Sequence, residues 1–485
     1  MQNFTIDKDK FDEEQISKQM ILKLINQHLV IAEQIKKKQS YYLAEHPILQ
    51  RTKKLKNASN EKTVCNHAKD IADTSTGYFM SSPISYSTNE DKDKLNKLTE
   101  AFDIAGVDDV DHDNAHDMSV SGVAYEYVYV KEGETTPISR NLEPEHTFVV
   151  CDDTIEQNVL FGVYYYAYTD GITNLTKYKV TVATQNYIHE FTLENSGDLA
   201  DGTSEDARQH FFGDVPIIQI LNNKHGIGDF EQQISLIDAY NTLMSDRVND
   251  KVQFVESLLV VYGALMGDDN KEVSEAVKIL KENGLLELPL DAKAEYISRT
   301  FDENGMEVLR NAIKEDIYTF SHVPNLTDKN FVGNSSGVAM EYKLLGLEMI
   351  TKTKERYYKK ALKQRIKLYC NYLGIKAIAI NPTSITATFS RGLPKNLLEL
   401  SQMISNLKGT VSSKTLISQL SFVEDADTEI KAVAKENEES VKRQQEAFKN
   451  LNNTPFNQQD DEDEDVSEDT PSNDKNTQLD FRKNN

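Results

Sequence analysis

From Asp229 onward the chain repeats apolar residues at Phe230, Ile234, Ile237, Tyr240, Met244, Val248, Val252, Val255 and Leu259, and meets no proline until Pro289. Steps of three and four put those positions on one stripe of an α-helix and scatter them over both faces of a strand, so a long amphipathic helix is expected. Asp229 and Gln232 have the spacing of a capping box, in which side chains satisfy the orphan amide donors of a first turn. Running to about Tyr262, the helix would be about 50 Å long at about 1.5 Å per residue. Its stripe reads as core or subunit packing rather than as a ligand groove.

The segments around this rod alternate in character. A small insert follows it, with a short helix over Lys271 to Glu282 stopped by Gly284, then strands at Leu285 to Leu288 and Ala294 to Ser298 around Pro289. A second helix spans Met306 to Phe320. After the polar loop Ser321 to Ser335, Ser336-Gly337 opens another very long helix, to about Leu373, ended by Gly374. Its second half is basic, with Lys352, Lys354, Arg356, Lys359, Lys360, Lys363, Arg365 and Lys367.

Towards the N-terminus, Ile16 to Gln34 has helical periodicity and is followed by Lys36-Lys37-Lys38. From Gly122 the period becomes two, and strands are expected at Val123 to Val130, Thr147 to Cys151, Val159 to Tyr168, Tyr178 to Ala183 and Tyr187 to Leu193. The fold class is therefore α+β, an antiparallel β region flanked by helices. Ile385 to Phe389 is one more strand, and Leu397 to about Leu451 is helical, with turns at Lys408-Gly409-Thr410 and Phe422 to Asp425. Past Pro455 the chain is too acidic and polar to bury a core, so disorder is expected there.

At 485 residues the chain is long enough for two to four domains. Nothing resembles a signal peptide, and the most apolar window, Leu258 to Met266, falls well short of the about 20 residues a spanning helix needs, so no membrane role is expected. Cys65, Cys151 and Cys370 are odd in number and far apart, which points to buried reduced thiols in a cytoplasmic compartment. The net charge of −24 argues against a general grip on nucleic acid, which relies on Lys and Arg releasing counterions. It does not exclude a surface past which nucleic acid slides.

Gly333-Asn334-Ser335-Ser336-Gly337 fits the G-x-S-x-G pattern of a serine nucleophile, but neither a buried strand before it nor a histidine after it is present, since His322 is the last histidine. The glycines instead bracket a loop-to-helix junction that Ser335 or Ser336 can cap. Asp109-Val110-Asp111-His112-Asp113-Asn114 imitates a calcium loop without its glycine and terminal glutamate, and reads as a solvated acidic turn. His112 and His116 are four apart but lack an H-E-x-x-H context. No P-loop motif occurs, so energy for any movement of a partner must come from another protein. No cofactor, metal or catalytic residue is expected.

The series of long helix, small α/β insert, second helix, polar loop and very long helix resembles the portal (head-to-tail connector) proteins of tailed bacteriophages, in the branch common among phages of Gram-positive hosts. The resemblance rests on Asp229-Phe230-Glu231, Leu236 to Asn241, Ser245 to Asp250, and Ser336-Gly337-Val338-Ala339 before Leu344 to Leu347. A weaker echo lies in Ser121-Gly122-Val123-Ala124-Tyr125 and Asn141-Leu142-Glu143-Pro144. It covers about residues 20 to 450.

The resemblance implies a cyclic ring, typically of twelve subunits, at one capsid vertex, assembled in the host cytoplasm and carried in the virion. The implied regions are N-terminal helices and a β-rich wing (1–228), a first stem helix (229–265), a clip (266–300), a second stem helix (301–320), a tunnel loop (321–335), a long wing helix (336–374), a wing strand and crown helices (375–451) and an acidic tail (452–485). Implied partners are double-stranded DNA in the channel, the terminase large subunit, the major capsid and scaffolding proteins, and neck or adaptor proteins. Asn325, Thr327, Lys329, Asn330, Asn334 and Ser335 would face DNA from the tunnel loop. Asp246, Asp250, Glu303 and Glu307 would line the stem, and Asp268, Asp269, Lys271 and Glu272 would meet clip partners. Twelve helices at about 10 Å each give axes on a circle about 38 Å across and a bore of about 28 Å, wide enough for a duplex. The rival readings are a helical scaffold or interaction protein without a channel, and a hydrolase using Ser335.

Overall fold

In the computed structural model of the chain, the described residues are 4–53, 59–169, 171, 172, 174, 176–194, 207–255, 258–262, 278, 293–297, 303–326, 337–391, 397–420, 423 and 426–452. A short strand β1 (Phe4–Ile6) precedes helix α1 (Lys18–Tyr42), whose N-cap Ser17 accepts from the Met20 amide. Helix α1 runs eight residues past its expected end at Gln34 and takes Lys36-Lys37-Lys38 into its last turns. Lys38 is buried there, because its ammonium donates to the Ser121 carbonyl at 2.6 Å and to Glu231 at 3.1 Å.

Helix α2 (His67–Phe79), strand β2 (Ser85–Thr88), helix α3 (Lys92–Ala105) and helix α4 (Val107–Ser121) follow. The acidic segment expected as a solvated turn is instead the body of α4, with Asp111 and Asn114 buried. The reason is a distant cation: Arg365 reaches Asp111 at 2.6 Å, a partner that local sequence cannot show.

The β region comprises β3 (Val123–Tyr129), β4 (Ile138–Leu142), β5 (Thr147–Asp152), β6 (Val159–Thr169), β7 (Thr176–Ala183), β8 (Tyr187–Glu194), β9 (Ala207–Gln209) and β10 (Ile217–Leu221). It forms a six-stranded sheet in the order β1-β5-β6-β7-β8-β9 and a three-stranded sheet β10-β3-β4. All pairs are antiparallel except β1 with β5. The apolar stripe of α1, including Ile21 and Ile25, buries against Phe148, Phe161, Val163 and Val180 of the larger sheet. The other face of β6 meets the smaller sheet so closely that a Cβ on Gly162 would stand 2.5 Å from Ile217 Cβ.

Helix α5 (Ile234–Val255) is 22 residues long, about 33 Å rather than about 50 Å. Leu258–Tyr262 is not its continuation but strand β11, paired antiparallel with β12 (Lys293–Ile297). Leu258-Leu259-Val260-Val261-Tyr262 is the β-rich, branched run that favours a strand once a partner is available, and the helical step to Leu259 is coincidental. The strand expected at Ala294 to Ser298 is therefore present one residue earlier, with a different partner. The expected helix 271–282 and strand 285–288 lie outside the described residues.

Helix α6 (Glu303–Ser321) runs beside α5, and helix α7 (Gly337–Ile375) extends for 39 residues, about 58 Å. Tyr358, Leu362, Ile366 and Tyr369 of α7 enter one core with Phe79 of α2, Phe102 of α3, Met118 of α4 and Ile218 and Ile220 of β10. Strand β13 (Ile385–Thr388) pairs with β2. A second unit, Lys395–Asn485, contains α8 (Leu397–Leu407), α9 (Ser413–Ile417) and α10 (Ala426–Asn452), with breaks near the two expected turns. The acidic tail past Pro455 lies outside the described residues.

Candidate functional site

Two glycine-bearing stretches meet where the chain turns into α5. Gly122, at φ +83°, passes so close to Gly226 that an added Cβ would lie 2.2 Å from its carbonyl oxygen. A Cβ on Gly228 would lie 2.6 Å from the Val120 carbonyl oxygen. Any side chain at either position would push the loops apart, and Gly122 also needs the left-handed region.

Between these loops the Asp229 side chain is buried, and it does not cap the helix. Its Oδ2 accepts from Ser119 Oγ at 2.6 Å and from the Lys354 ammonium, and its Oδ1 accepts from Asn222 at 3.0 Å. Lys354 also donates to Ser75 Oγ at 2.6 Å, and the Lys354 and Asp229 side chains are 4% and 5% exposed. A buried ammonium outbids neutral amides for a carboxylate. Glu231 accepts from the Gly228 amide at 2.9 Å, and a 3-10 turn over Glu231–Gln233, which has Phe230 at its N-cap and no side-chain cap bond, leads into the helix.

A second ionised cluster lies deeper on α7. Arg365 donates to both oxygens of Glu126 at 2.7 and 2.5 Å and to Asp111, which also accepts from the Tyr358 hydroxyl at 2.6 Å. Asn114 donates to Glu126, and Asn141 bridges Asn114 and Asp117. Thus α4, β3, β4 and α7 share one hydrogen-bonded charge system.

The polar face of α5 is occupied as well. Asn241, Ser245 and Asn249, each four residues apart, accept from the backbone amides of Cys65, Thr63 and Glu61 at 2.8, 2.9 and 2.7 Å. Every second amide of an extended segment thus meets every fourth residue of a helix, since both repeats advance about 6 to 7 Å. Tyr41 donates to Asp238, and burial together with that bond raises its phenol well above the usual range. The i, i+4 polar spacing of Asn241, Ser245 and Asn249 is legible in the sequence beside the apolar stripe, but the extended segment it holds is not.

Of the expected stem acids, Glu303 and Glu307 come together on α6 around Arg247 of α5, with Arg247 donating to Glu303 and, at 2.8 Å, to Glu307. Hydrogen bonds from Lys251 and Arg247 hold Glu303 below the ordinary carboxylate range, and Arg247 and then Arg310 do the same for Glu307. Asp246 pairs with Arg51 at 2.8 Å. Asp250 lies on the same helix, one turn beyond Asp246. Asn325 lines an open groove of about 770 Å³ between α6 and α7, with Arg310, Lys314, Tyr318, His322 and Lys343. Thr327, Lys329, Asn330, Asn334, Ser335, Asp268, Asp269, Lys271 and Glu272 lie outside the described residues.

His112 and His116 do fall on one helix, but His116 stacks edge-on against Tyr42, and among the described residues no group of three metal-ligating side chains gathers. The cysteines are free, Cys151 and Cys370 buried and Cys65 half-buried, and burial raises all three thiols, Cys370 to about 12. Among the described residues no helix is long and apolar enough to cross a membrane.

The polar groups described above tie one helix or strand to another, so the class that the fold defines is an α+β protein built around long anchored helices. More narrowly, the chain belongs to the family described as "Phage portal protein, SPP1 Gp6-like", whose model matches residues 21–443. It is 24% identical over 452 residues to the portal protein of Bacillus phage SPP1, covering 86% of each chain. It is 21% identical over 320 residues to the portal protein of Clostridium phage phiCD119, covering 64% of this chain and 66% of that one. Two solved structures titled as the neck of GTA particles, native and empty, match at a TM-score of 0.42 with 10% and 11% identity, over 73% of this chain and 89% of theirs. Of the stretches that carried the resemblance in sequence, those around Gly122, Asn141 and Asp229 contribute to the glycine junction and the two charge systems, and Asn241 to Asn249 hold residues 61–65 as a strap along α5, whereas, among the described residues, Leu344 to Leu347 takes part in none of these.

Proposed function

We propose that this chain closes into a twelve-membered ring at one vertex of a phage capsid, and that double-stranded DNA enters and leaves through its channel. The supporting observation is the family match over residues 21–443, which spans both long helices and the β region. Helices α5 and α6 are the stem rods, the segment between them with β11 and β12 is the clip, and the β sheets with α7 form the wing. The second unit is the crown. The loop after Asn325, with Thr327, Lys329, Asn330, Asn334 and Ser335, touches DNA transiently; weak contact permits sliding where tight binding would stall it.

The stem acids refine this picture. Because Arg247 engages Glu303 and Glu307 and Arg51 engages Asp246, the bore presents partly neutralised carboxylates, with Asp250 one turn beyond Asp246 on α5. Asp268, Asp269, Lys271 and Glu272 meet the terminase large subunit and later the neck proteins, while capsid and scaffolding proteins grip the wing. The role is mechanical rather than catalytic, and movement is driven by a terminase. The protein would be assembled in the host cytoplasm and retained in the virion.

Negative-stain microscopy and mass photometry of the purified full chain test the ring. Twelve copies of 55.0 kDa give a particle of about 660 kDa with a central hole. Single subunits alone under assembly conditions, together with normal DNA filling of capsids made without the protein, would overturn the proposal.

A further inference from the structure

In sequence the eight cations of the α7 run are alike, all of them lysines or arginines, yet the fold sorts them into two faces. Lys354 and Arg365 turn inward with Tyr358 and Ala361. Lys352, Arg356, Lys360, Lys363 and Lys367 are all exposed, and their steps of four, four, three and four place them on one line. That line is about 22 Å long at about 1.5 Å per residue. Its ends lean on acids, Lys352 on Glu348 at 3.5 Å and Lys367 on Asp214 at 2.7 Å. The neighbouring Lys359 pairs with Glu355 at 2.6 Å, and Glu348 and Glu355 are both also engaged by Arg391. Arg356, Lys360 and Lys363, in the middle, form no ion pair among the described residues.

An acidic chain has carboxylates to spare, and the other cations of the 352–367 run have found them. Three adjacent exposed cations without a partner therefore form a surface with unused positive charge. We propose that this stripe is a docking rail for the phosphate backbone of double-stranded DNA, separate from the tunnel loop. The inference rests on the portal reading for the identity of the polyanion.

Composition favours DNA over a second protein surface. The stripe is four-fifths lysine, and the exposed apolar side chains on the same line of α7, Leu345 and Met349, end about one turn before Lys352. Protein interfaces are depleted of lysine at their centres and anchored by aromatic, Met and Arg side chains. A polyanion needs no such anchor. It also needs no fixed register, because a duplex carries one charge about every 1.7 Å along its axis and an uneven row of cations finds phosphates at any offset.

The test is the salt dependence of binding of a random-sequence 30-base-pair duplex to the full-length protein, followed by fluorescence anisotropy. Neutralising all three residues (Arg356→Gln, Lys360→Gln and Lys363→Gln) should lower the slope of log affinity against log salt by about 2.7, since each lost phosphate contact removes about 0.9. Lys97→Gln, which breaks a surface pair with Glu100 on α3, should leave the slope unchanged. Ring formation by the same variants is scored by negative stain, which separates failure of the rail from failure of the ring. An unchanged slope in the triple variant, or no duplex binding by the unmodified protein at low salt, overturns the rail. So does loss of the ring with an unchanged slope, which would mark the stripe as an interface between copies.

Discussion

The two largest buried regions both enclose polar groups, and they treat them in opposite ways. In the six-stranded sheet, His28 hydrogen-bonds Tyr165 at 2.9 Å among Phe4, Phe148 and Tyr165 rings, and burial pushes its imidazole down to about 4, so it is neutral. Around α7, by contrast, Lys354 pairs with Asp229, and Arg365 pairs with Glu126 and Asp111. A neutral core depends on staying unprotonated; an ionised one depends on every member keeping its partner. Acid acts on the first by charging a buried imidazole, whereas loss of any one partner strands a charge in the second.

The largest effect should follow from breaking one ion pair. Asp229→Ala strands a buried ammonium and is expected to cost about 3 to 5 kcal/mol, read from urea denaturation of the isolated chain. Replacing both partners, with Asp229→Leu and Lys354→Met, should cost less than either single change, because no uncompensated charge remains. A double variant as unstable as the single ones would mean that the junction is held by the glycine-to-backbone approach and not by the ions.

The neutral core should respond to acid instead. Because the folded state keeps His28 neutral, its pKa lies below the unfolded value of about 6.5, and the unfolded chain binds more protons in between. The stabilisation is complete above about pH 6.5 and is lost as pH falls towards 4, on the order of 3 kcal/mol in all. The difference in stability between the unmodified chain and His28→Leu should therefore shrink or reverse between pH 7 and 4. A difference that stays constant over that range would show that His28 titrates normally.

Residue by residue, the contrast also explains what the sequence could disclose. The strands at Val123, Thr147, Val159, Tyr178 and Tyr187 were legible because their alternation is local. Strand β4, Ile138-Ser139-Arg140-Asn141-Leu142, was not, since its core-facing Ser139 is polar and hydrogen-bonds Tyr369 from 230 positions away. The inward turn of Lys354 and Arg365 was in principle readable, because they keep step with Tyr358 and Ala361. Their partners Asp229, Glu126 and Asp111 were not, since an ion pair across more than 100 residues leaves no mark in either segment. The same blindness turned Asp229 into an expected cap and Asp111 into an expected solvated acid. Of the candidate site, pairing of Glu303 and Glu307 by Arg247 was equally hidden.

Between the two extremes lies the strap of residues 61–65 on α5, where the polar groups are neutral: Asn241, Ser245 and Asn249 are buried, while Thr63 and Cys65 are half-buried and Glu61 is exposed. Asn249→Ala removes acceptors for the Glu61 amide and the Ser59 hydroxyl, and about 1 kcal/mol per lost bond is expected. Hydrogen exchange should show faster exchange at the Glu61 amide, with the Cys65 amide, held by Asn241, less affected. Equal loss of protection at Glu61, Thr63 and Cys65 would mean that the segment releases as a unit rather than peeling from one end.

The smallest effect should come from the exposed pairs between α5 and α6, which set the baseline for the comparison. Arg247 touches both Glu303 and Glu307, but those carboxylates are about two-fifths exposed, so water and salt compete for every bond. Arg247→Gln should lower the thermal midpoint of the isolated chain slightly at low salt and not at all in about 1 M salt, where charges are screened beyond about 3 Å. In the closed ring the same substitution becomes informative. If a neighbouring copy covers the α5 and α6 faces, the pair is desolvated and its loss should destabilise the ring at high salt as well. A salt-sensitive effect of equal size in subunit and ring would instead leave Arg247 facing water, with Glu303 and Glu307 turned to the bore.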